Sequence, residues 1–192
     1  MKKLIYIIVI TLTGLVLLTS CVSTSVNEPT SQSGAGLPDI VRNARRNAPE
    51  NVLIGIGSAK LSTQSQSKIV AESRARAEIS RAMNSMVQDM IRDYLASSEV
   101  DPNSSLAFQE NITVTLSKSE LQGAAINDED WINGTYYVVM YMNKADVVRE
   151  INQAQAAARL TVPAMASFNA EERMNAAFDR EYARELQVAD RD

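Results

Sequence analysis

Residues 52–95 read VLIGIGSAKLSTQSQSKIVAESRARAEISRAMNSMVQDMIRDYL, and this stretch decides the fold. Its first part, residues 52–59, is apolar and partly β-branched, which is typical of a short buried strand. Apolar residues then recur every three or four positions, which predicts one long amphipathic helix from about Gln64 to Leu95. Thr63, with Gln66 three positions later, has the form of the cap that begins such a helix. A helix of roughly thirty residues would be about 45 Å long, enough to cross a whole face of a small sheet.

The apolar stripe of this helix is expected to face the core, with the charged residues mainly on the opposite face. The stripe consists of Ala75, Ile79, Met83, Met86, Met90 and Tyr94, widened by Ala82, Val87 and Ile91. The charged set consists of Arg74, Arg76, Glu78, Arg81, Asp89, Arg92 and Asp93.

Gly55 and Gly57 lie inside the predicted strand. A dinucleotide-binding fingerprint would need a third glycine where this chain has Lys60, at a strand-to-helix turn. Two glycines here more often let the chain pack closely or turn. We therefore interpret them as structural, either as packing positions or as a turn.

A hairpin is predicted downstream, with strands at Leu121–Ile132 and Thr135–Met142. Asn133-Gly134 between them is the strongest short hairpin signal. The second strand is apolar on both faces, which indicates a central strand covered on two sides. Before the hairpin, residues 104–118 favour a second helix because apolar residues recur four apart, although the β-branched run at 112–115 leaves a strand as the alternative.

Further helices are predicted towards both ends of the chain. Pro38 suits the first turn of a short helix that Pro49 closes. Another helix begins near Asn143 and is interrupted by Pro163. A last helix carries one apolar stripe, composed of Met174, Phe178, Tyr182 and Leu186. That stripe either docks on its own domain or forms a contact for a partner or a second copy.

The N-terminus has the organisation of an export signal. Lys2 and Lys3 precede an uncharged, mostly apolar run from Leu4 to Leu18. The segment Leu18-Thr19-Ser20-Cys21 resembles the lipobox of bacterial lipoprotein precursors. That resemblance implies cleavage between Ser20 and Cys21, an S-diacylglyceryl group on Cys21 and acylation of its new amine. The alternative is an uncleaved membrane anchor in which Cys21 is incidental.

Residues 22–36 are small and polar and cannot bury enough apolar area to fold, so we expect a flexible tether. Val22 stands where an aspartate retains lipoproteins of enteric-type bacteria in the inner membrane. The absence of aspartate at this position resembles lipoproteins that are sorted to the outer membrane. We therefore expect a lipid-anchored protein of the bacterial cell envelope, with residues 1–20 as signal peptide and 21–36 as lipidated cysteine and tether.

The composition argues against several classes of function. Histidine is absent and Cys21 is the single cysteine, which excludes histidine-based triads and nearly all zinc sites. The chain has 19 basic and 23 acidic residues, and its net charge of -4 does not suit nucleic acid. Asp128-Glu129-Asp130 could bind a hard cation, but a solvated strand end is favoured. We expect no enzyme activity, no cofactor and no metal.

Five segments in order resemble the LPP-twenty lipoprotein family of small bacterial envelope lipoproteins. They are LPDIV at 37–41, VLIGIGSA at 52–59, AESRARAEI at 71–79, LQGA at 121–124 continuing to Trp131, and GTYYVV at 134–139. The family often has an aromatic residue where Ile40 stands. The resemblance covers about residues 37–150 and supplies no catalytic residue.

The resemblance implies an α+β fold, a small and mainly antiparallel sheet with one long amphipathic helix packed on a face. The domain would span 37–158, with a C-terminal helical extension at 159–192. The implied role is membrane-associated and non-enzymatic, through protein contacts in envelope or flagellar-type outer-membrane assembly. The expected partners are the membrane through Cys21, envelope proteins or a second copy. A periplasmic module that binds a small apolar ligand between the long helix and the sheet is the alternative.

Overall fold

The computed structural model describes residues 37–189, so Ser20, Cys21 and the predicted tether lie outside the described residues. The elements in chain order are α1 (Asp39–Arg46), β1 (Val52–Ala59), α2 (Gln64–Leu95), α3 (Pro102–Lys118), β2 (Ala125–Ile132), β3 (Thr135–Asn143), α4 (Lys144–Thr161), a short 3-10 turn (Pro163–Met165) and α5 (Ala170–Ala189). This is the predicted α+β class, and the helix favoured over 104–118 is confirmed as α3.

The sheet is antiparallel and has the strand order β1-β3-β2. The central position of β3 explains why both of its faces are apolar. Asn133 and Gly134 have φ values of 51° and 80°, the left-handed pair that a tight hairpin turn requires. The predicted hairpin is therefore confirmed.

The first hairpin strand begins later than predicted, at Ala125 rather than Leu121. Leu121 and Gly123 have positive φ values of 48° and 99°, which are incompatible with extended backbone. These residues form a turn after α3, and Arg149 of α4 donates a hydrogen bond of 2.7 Å to the Gln122 carbonyl. Leu121 is apolar because it is buried in this turn, and in the sequence it therefore looks like the first residue of the strand.

The long helix α2 packs directly on one face of the sheet, and its limits agree with the prediction. The backbone N–H of Gln66 donates to the Thr63 hydroxyl at 3.3 Å, which confirms the cap. A Cβ atom added at Gly55 would lie 2.1 Å from the Ala75 carbonyl oxygen, and one at Gly57 would lie 1.9 Å from that of Ala71. The two glycines are therefore packing positions, the first of the two interpretations.

Helices α3, α4 and α5 complete the main core together with α2. Phe168, in the short connection before α5, is fully buried and lies edge-on between Tyr94 and Phe108, with ring centroids 5.5 Å and 5.4 Å away. This aromatic cluster fixes the point at which α5 returns to α2. Within residues 37–189, none of the helices combines the length and apolarity that crossing a membrane requires.

The second face of the sheet has a smaller cover, the helix α1. Its Ile40, Val41 and Ala44 pack on Val52, Ile54 and Val139. Leu37, the first described residue, packs against the same cluster.

Candidate functional site

Three acidic side chains that could have formed a cation site are engaged in the sheet instead. Asp128, Glu129 and Asp130 lie within the outer strand β2. The Asp128 carboxylate accepts a hydrogen bond from the Glu129 backbone at 2.9 Å, and that of Asp130 accepts one from Trp131 at 2.7 Å. Glu129 pairs with Lys68 of α2 at 2.7 Å. Among residues 37–189, no three carboxylates are arranged to hold a metal ion.

These aspartates cap the free edge of β2. In the ladder that begins at Ile132 and Thr135, the N–H groups of Glu129 and Trp131 point away from β3. Both of these groups are bonded to aspartate side chains rather than left open for another strand.

The free edge of β1 is also capped, in this case by the long helix. The Ile56 backbone N–H donates to the Glu78 carboxylate at 2.6 Å, and Arg74 donates to the Ser58 carbonyl at 2.5 Å. Unpaired strand edges are templates for intermolecular pairing, and capped edges resist it. At both edges of this sheet, side chains thus occupy positions where a further strand would pair.

Helix α5 lies along α2 and is held by a network of charges. Arg184 bonds Asp89 at 2.6 Å and Ser85 at 2.6 Å. Arg180 bonds Asp93 at 2.8 Å and lies 3.7 Å from Asp89. Two carboxylates four residues apart on α2 thus face two guanidinium groups four residues apart on α5.

The charged residues of the long helix lie mainly on its exposed side, as predicted, but Asp89 is an exception. Asp89 is only 6% exposed because α5 covers this side of α2. The missed signal is the matching spacing of Asp89 with Asp93 and of Arg180 with Arg184. Spacing alone does not reveal that the two helices meet.

The apolar stripe of the last helix divides into a docked and an exposed part. Met174 and Phe178 are buried against the core, and Tyr182 is half-buried. Leu186 and Val188 are each 39% exposed. The helix therefore docks on its own domain through its first half, and its apolar end stays accessible.

A pair of carboxyl groups meets where α5 passes β1. Burial raises the pKa of Glu78 on α2 despite the lowering effects of the Ile56 N–H, Arg45 and Arg81. Burial also raises the pKa of Glu185 on α5, helped by the charge of Glu78 and opposed by Arg45.

The space beside this pair is small. The cavity lined by Glu185, Glu181, Tyr182 and residues 52–54 of β1 has a volume of about 10 Å³. That is roughly the room that one water molecule needs. The cavity itself is therefore too small for a substrate.

No known protein family matches this chain, and no curated protein or solved structure matches it. The resemblance to the LPP-twenty family stays a prediction that rests on the order and spacing of its five segments.

Proposed function

We propose that this chain is a lipid-anchored protein of the bacterial cell envelope that acts through protein contacts rather than catalysis. The observation that carries the proposal is the basic N-terminus and apolar run ending in Leu18-Thr19-Ser20-Cys21. Cys21 is the attachment residue and Ser20 the residue before the cleaved bond. The assembly it serves is an envelope structure or a flagellar-type outer-membrane structure, as the LPP-twenty resemblance implies.

Acylation of one cysteine is physically sufficient for such an anchor. Each buried methylene contributes about 0.8 kcal/mol, so one chain holds marginally and two or more hold stably. The tether of residues 22–36, as a flexible coil, gives a root-mean-square reach of about 20 Å. The domain would stay close to the bilayer and remain free to turn towards a partner.

The contacts of the domain's polar side chains support a role in binding rather than in chemistry. The acids that suggest reactivity cap sheet edges, pair with lysine or arginine, or lie against a cavity of about 10 Å³. Large apolar side chains are in contrast exposed on the helices, most of all Leu160 at 85% and Ile69 at 67%. A protein partner that covered any of them would bury apolar area.

The test of the anchor is mass spectrometry of the N-terminus of the protein purified from bacterial membranes. We expect a mature chain that begins at Cys21 and carries diacylglyceryl and acyl groups. The variant Cys21→Ser should lose the lipid and leave the membrane fraction, whereas the tether variant Ser25→Ala should behave as the wild type. An unmodified thiol with residues 1–20 still attached would contradict the proposal.

The test of the contact role is proximity labelling in cells, with Cys21→Ser as the control. We expect envelope proteins to be labelled by the wild type and to be lost with the anchor. Labelling without any reproducible envelope protein would count against a role in assembly.

The alternative of a small apolar ligand between the long helix and the sheet gains no support from the packing there. The backbones of α2 and β1 touch at Gly55 and Gly57, and even an added methyl group would collide. A ligand at that place would have to separate the two layers.

A further inference from the structure

An open groove of about 360 Å³ lies between α3 and α4. Lys118 and Ser119 line it at the end of α3, and Glu150 and Gln153 line it on α4. Its apolar lining includes Val114, which is 48% exposed, and the almost fully buried Leu116 and Ala154. Its volume is in the range of small-molecule sites, roughly 300–1,000 Å³.

Glu150 is the unusual residue of this groove. It is 6% exposed, as buried as Asp89. Asp89 has several arginines around it, whereas within residues 37–189 Glu150 forms no ion pair. Its hydrogen-bond partner is the Ser119 hydroxyl, at 2.5 Å.

The Ser119 hydroxyl is oriented by a second contact. It accepts a hydrogen bond from the Leu121 backbone N–H at 3.1 Å, so its own proton points to Glu150. A neutral donor satisfies one lone pair of the carboxylate but leaves its charge uncompensated. A buried charge without a counter-ion is costly, and a cation arriving in the groove would remove that cost.

The end of α3 adds to the negative potential of the groove. Ser119 is the C-cap of α3, and the last carbonyl groups of a helix carry the negative end of its dipole. Lys118 also lines the groove and is exposed, and among the described residues it forms no ion pair with Glu150. The groove therefore combines an acidic floor, a negative helix end and apolar walls.

We propose that this groove binds a small primary alkylammonium ion, with the ammonium on Glu150 and the alkyl chain against Val114. Ammonium is the cation that fits, because it donates to the carboxylate oxygen that Ser119 leaves free. The inference goes beyond the proposed function and does not depend on the lipid anchor. A protein that carries both the lipid anchor and this groove would present an amine-binding site at the membrane surface.

The test is an NMR titration of the mature full chain with 1-butylammonium chloride at constant ionic strength. Saturable shifts are expected at the amides of Ser119, Leu121 and Ala154. Uncharged 1-butanol of the same size should cause none that saturate in the same range. Equal binding of 1-butanol and 1-butylammonium, or no saturable shift with 1-butylammonium, would overturn the proposal.

Two variants and a control test whether the Glu150 carboxylate is the group that binds 1-butylammonium. Glu150→Gln should weaken 1-butylammonium binding about tenfold or more, because a charge-assisted hydrogen bond is lost. Glu110→Gln removes an equal charge from an exposed position of α3 and should bind as the wild type.

Gln153→Arg keeps the test decisive if Glu150→Gln fails to fold. Gln153 is exposed and three residues from Glu150 on α4, so an arginine there can pair with the carboxylate. This variant should fold, resist heat better than the wild type and lose 1-butylammonium binding. Binding that persists in Gln153→Arg with wild-type affinity would place the amine elsewhere and overturn the proposal.

Discussion

At Gly57 the absence of one methyl group sets the distance between the sheet and its long helix. The missing Cβ would lie 1.9 Å from the Ala71 carbonyl oxygen and 2.6 Å from the Ala75 nitrogen, which are backbone atoms that no rotamer change can move. We expect Gly57→Ala to lower the free energy of unfolding by about 3 kcal/mol or more, because the helix has to shift.

Urea denaturation measures this loss, and Gly134→Ala is the matched control. Gly134 has a positive φ of 80°, but an added Cβ there meets only the Lys60 side chain, at 3.4 Å. Its cost is the backbone strain alone, about 1 kcal/mol. Equal losses in the two variants would show that Gly57 is not a packing position.

The carboxyl pair Glu78 and Glu185 predicts a dependence of stability on pH. Burial raises the pKa of both groups above the ordinary 4.5, so above about pH 4.5 the folded chain holds more protons than the unfolded one. The free energy of unfolding therefore falls as pH rises through this window, until both groups are ionised in the folded chain. Glu181, Arg45 and Arg81 also face the pair and modulate the effect.

Urea midpoints measured between about pH 4.5 and 7 test this linkage. Glu185→Gln should flatten the slope, whereas Glu110→Gln on the exposed side of α3 should retain it. Asp101 affects stability in a different pH range. Hydrogen bonds from Ser104 and Asn103 lower its pKa, so the stability that it contributes is lost as the pH falls below the ordinary pKa of 3.8. A midpoint that rises steadily from pH 4.5 to 7 would contradict the assignment.

At the scale of elements, the attachment of α5 to α2 depends on a buried and an exposed acid. Asp89 and Asp93 both pair with Arg180, but the side chain of Asp89 is 8% exposed and that of Asp93 is 48% exposed. Losing hydrogen bonds between charged groups at a buried acid costs about 1.5–3 kcal/mol, while exposed pairs contribute about 0–1 kcal/mol. We therefore expect Asp89→Ala to destabilise far more than Asp93→Ala.

Hydrogen exchange measures where the destabilisation occurs. In Asp89→Ala the amides of α5 beyond Phe178 should exchange faster, since Arg184 loses its ion pair to α2 and keeps only the one to Glu181 within α5. The first half of α5, which packs through Met174 and Phe178, should stay protected. Uniformly faster exchange over the whole chain would mean that the network stabilises the fold as a unit and not α5 in particular.

Elements whose formation is decided locally could be predicted from the sequence. The Thr63 cap, the stripe of α2 and the Asn133-Gly134 turn each depend on neighbours within a few residues, and the structure confirms all three. The strand before that turn was predicted too long because an apolar run does not show that Leu121 adopts positive φ.

Contacts between distant elements could not be predicted in the same way. Asp89 carries the same charge whether α5 covers it or water does, and Glu150 is buried only because α3 and α4 meet above it. The burial of Asp89 follows from the path of the chain after Pro163, and that of Glu150 from the packing of α3 on α4. A single sequence contains no periodicity that reports this path.

At the scale of the whole molecule, the sheet has three strands and two free edges, and each edge is closed by side chains rather than by another strand. This matters for a protein proposed to be concentrated on a membrane surface, where open edges would pair between copies. The aspartate caps of β2 are the more accessible of the two, because Asp128 and Asp130 are exposed.

We therefore expect the double variant Asp128→Ala with Asp130→Ala to self-associate as its concentration rises. Its β2 edge offers two free N–H groups, at Glu129 and Trp131, and carries less repelling charge. Sedimentation of the mature chain with Cys21→Ser measures the effect without lipid. Glu50→Ala with Glu120→Ala removes the same charge from exposed positions outside the strands and should sediment as the wild type does. If both double variants associate equally, lost charge is the cause and the caps do not protect the edge.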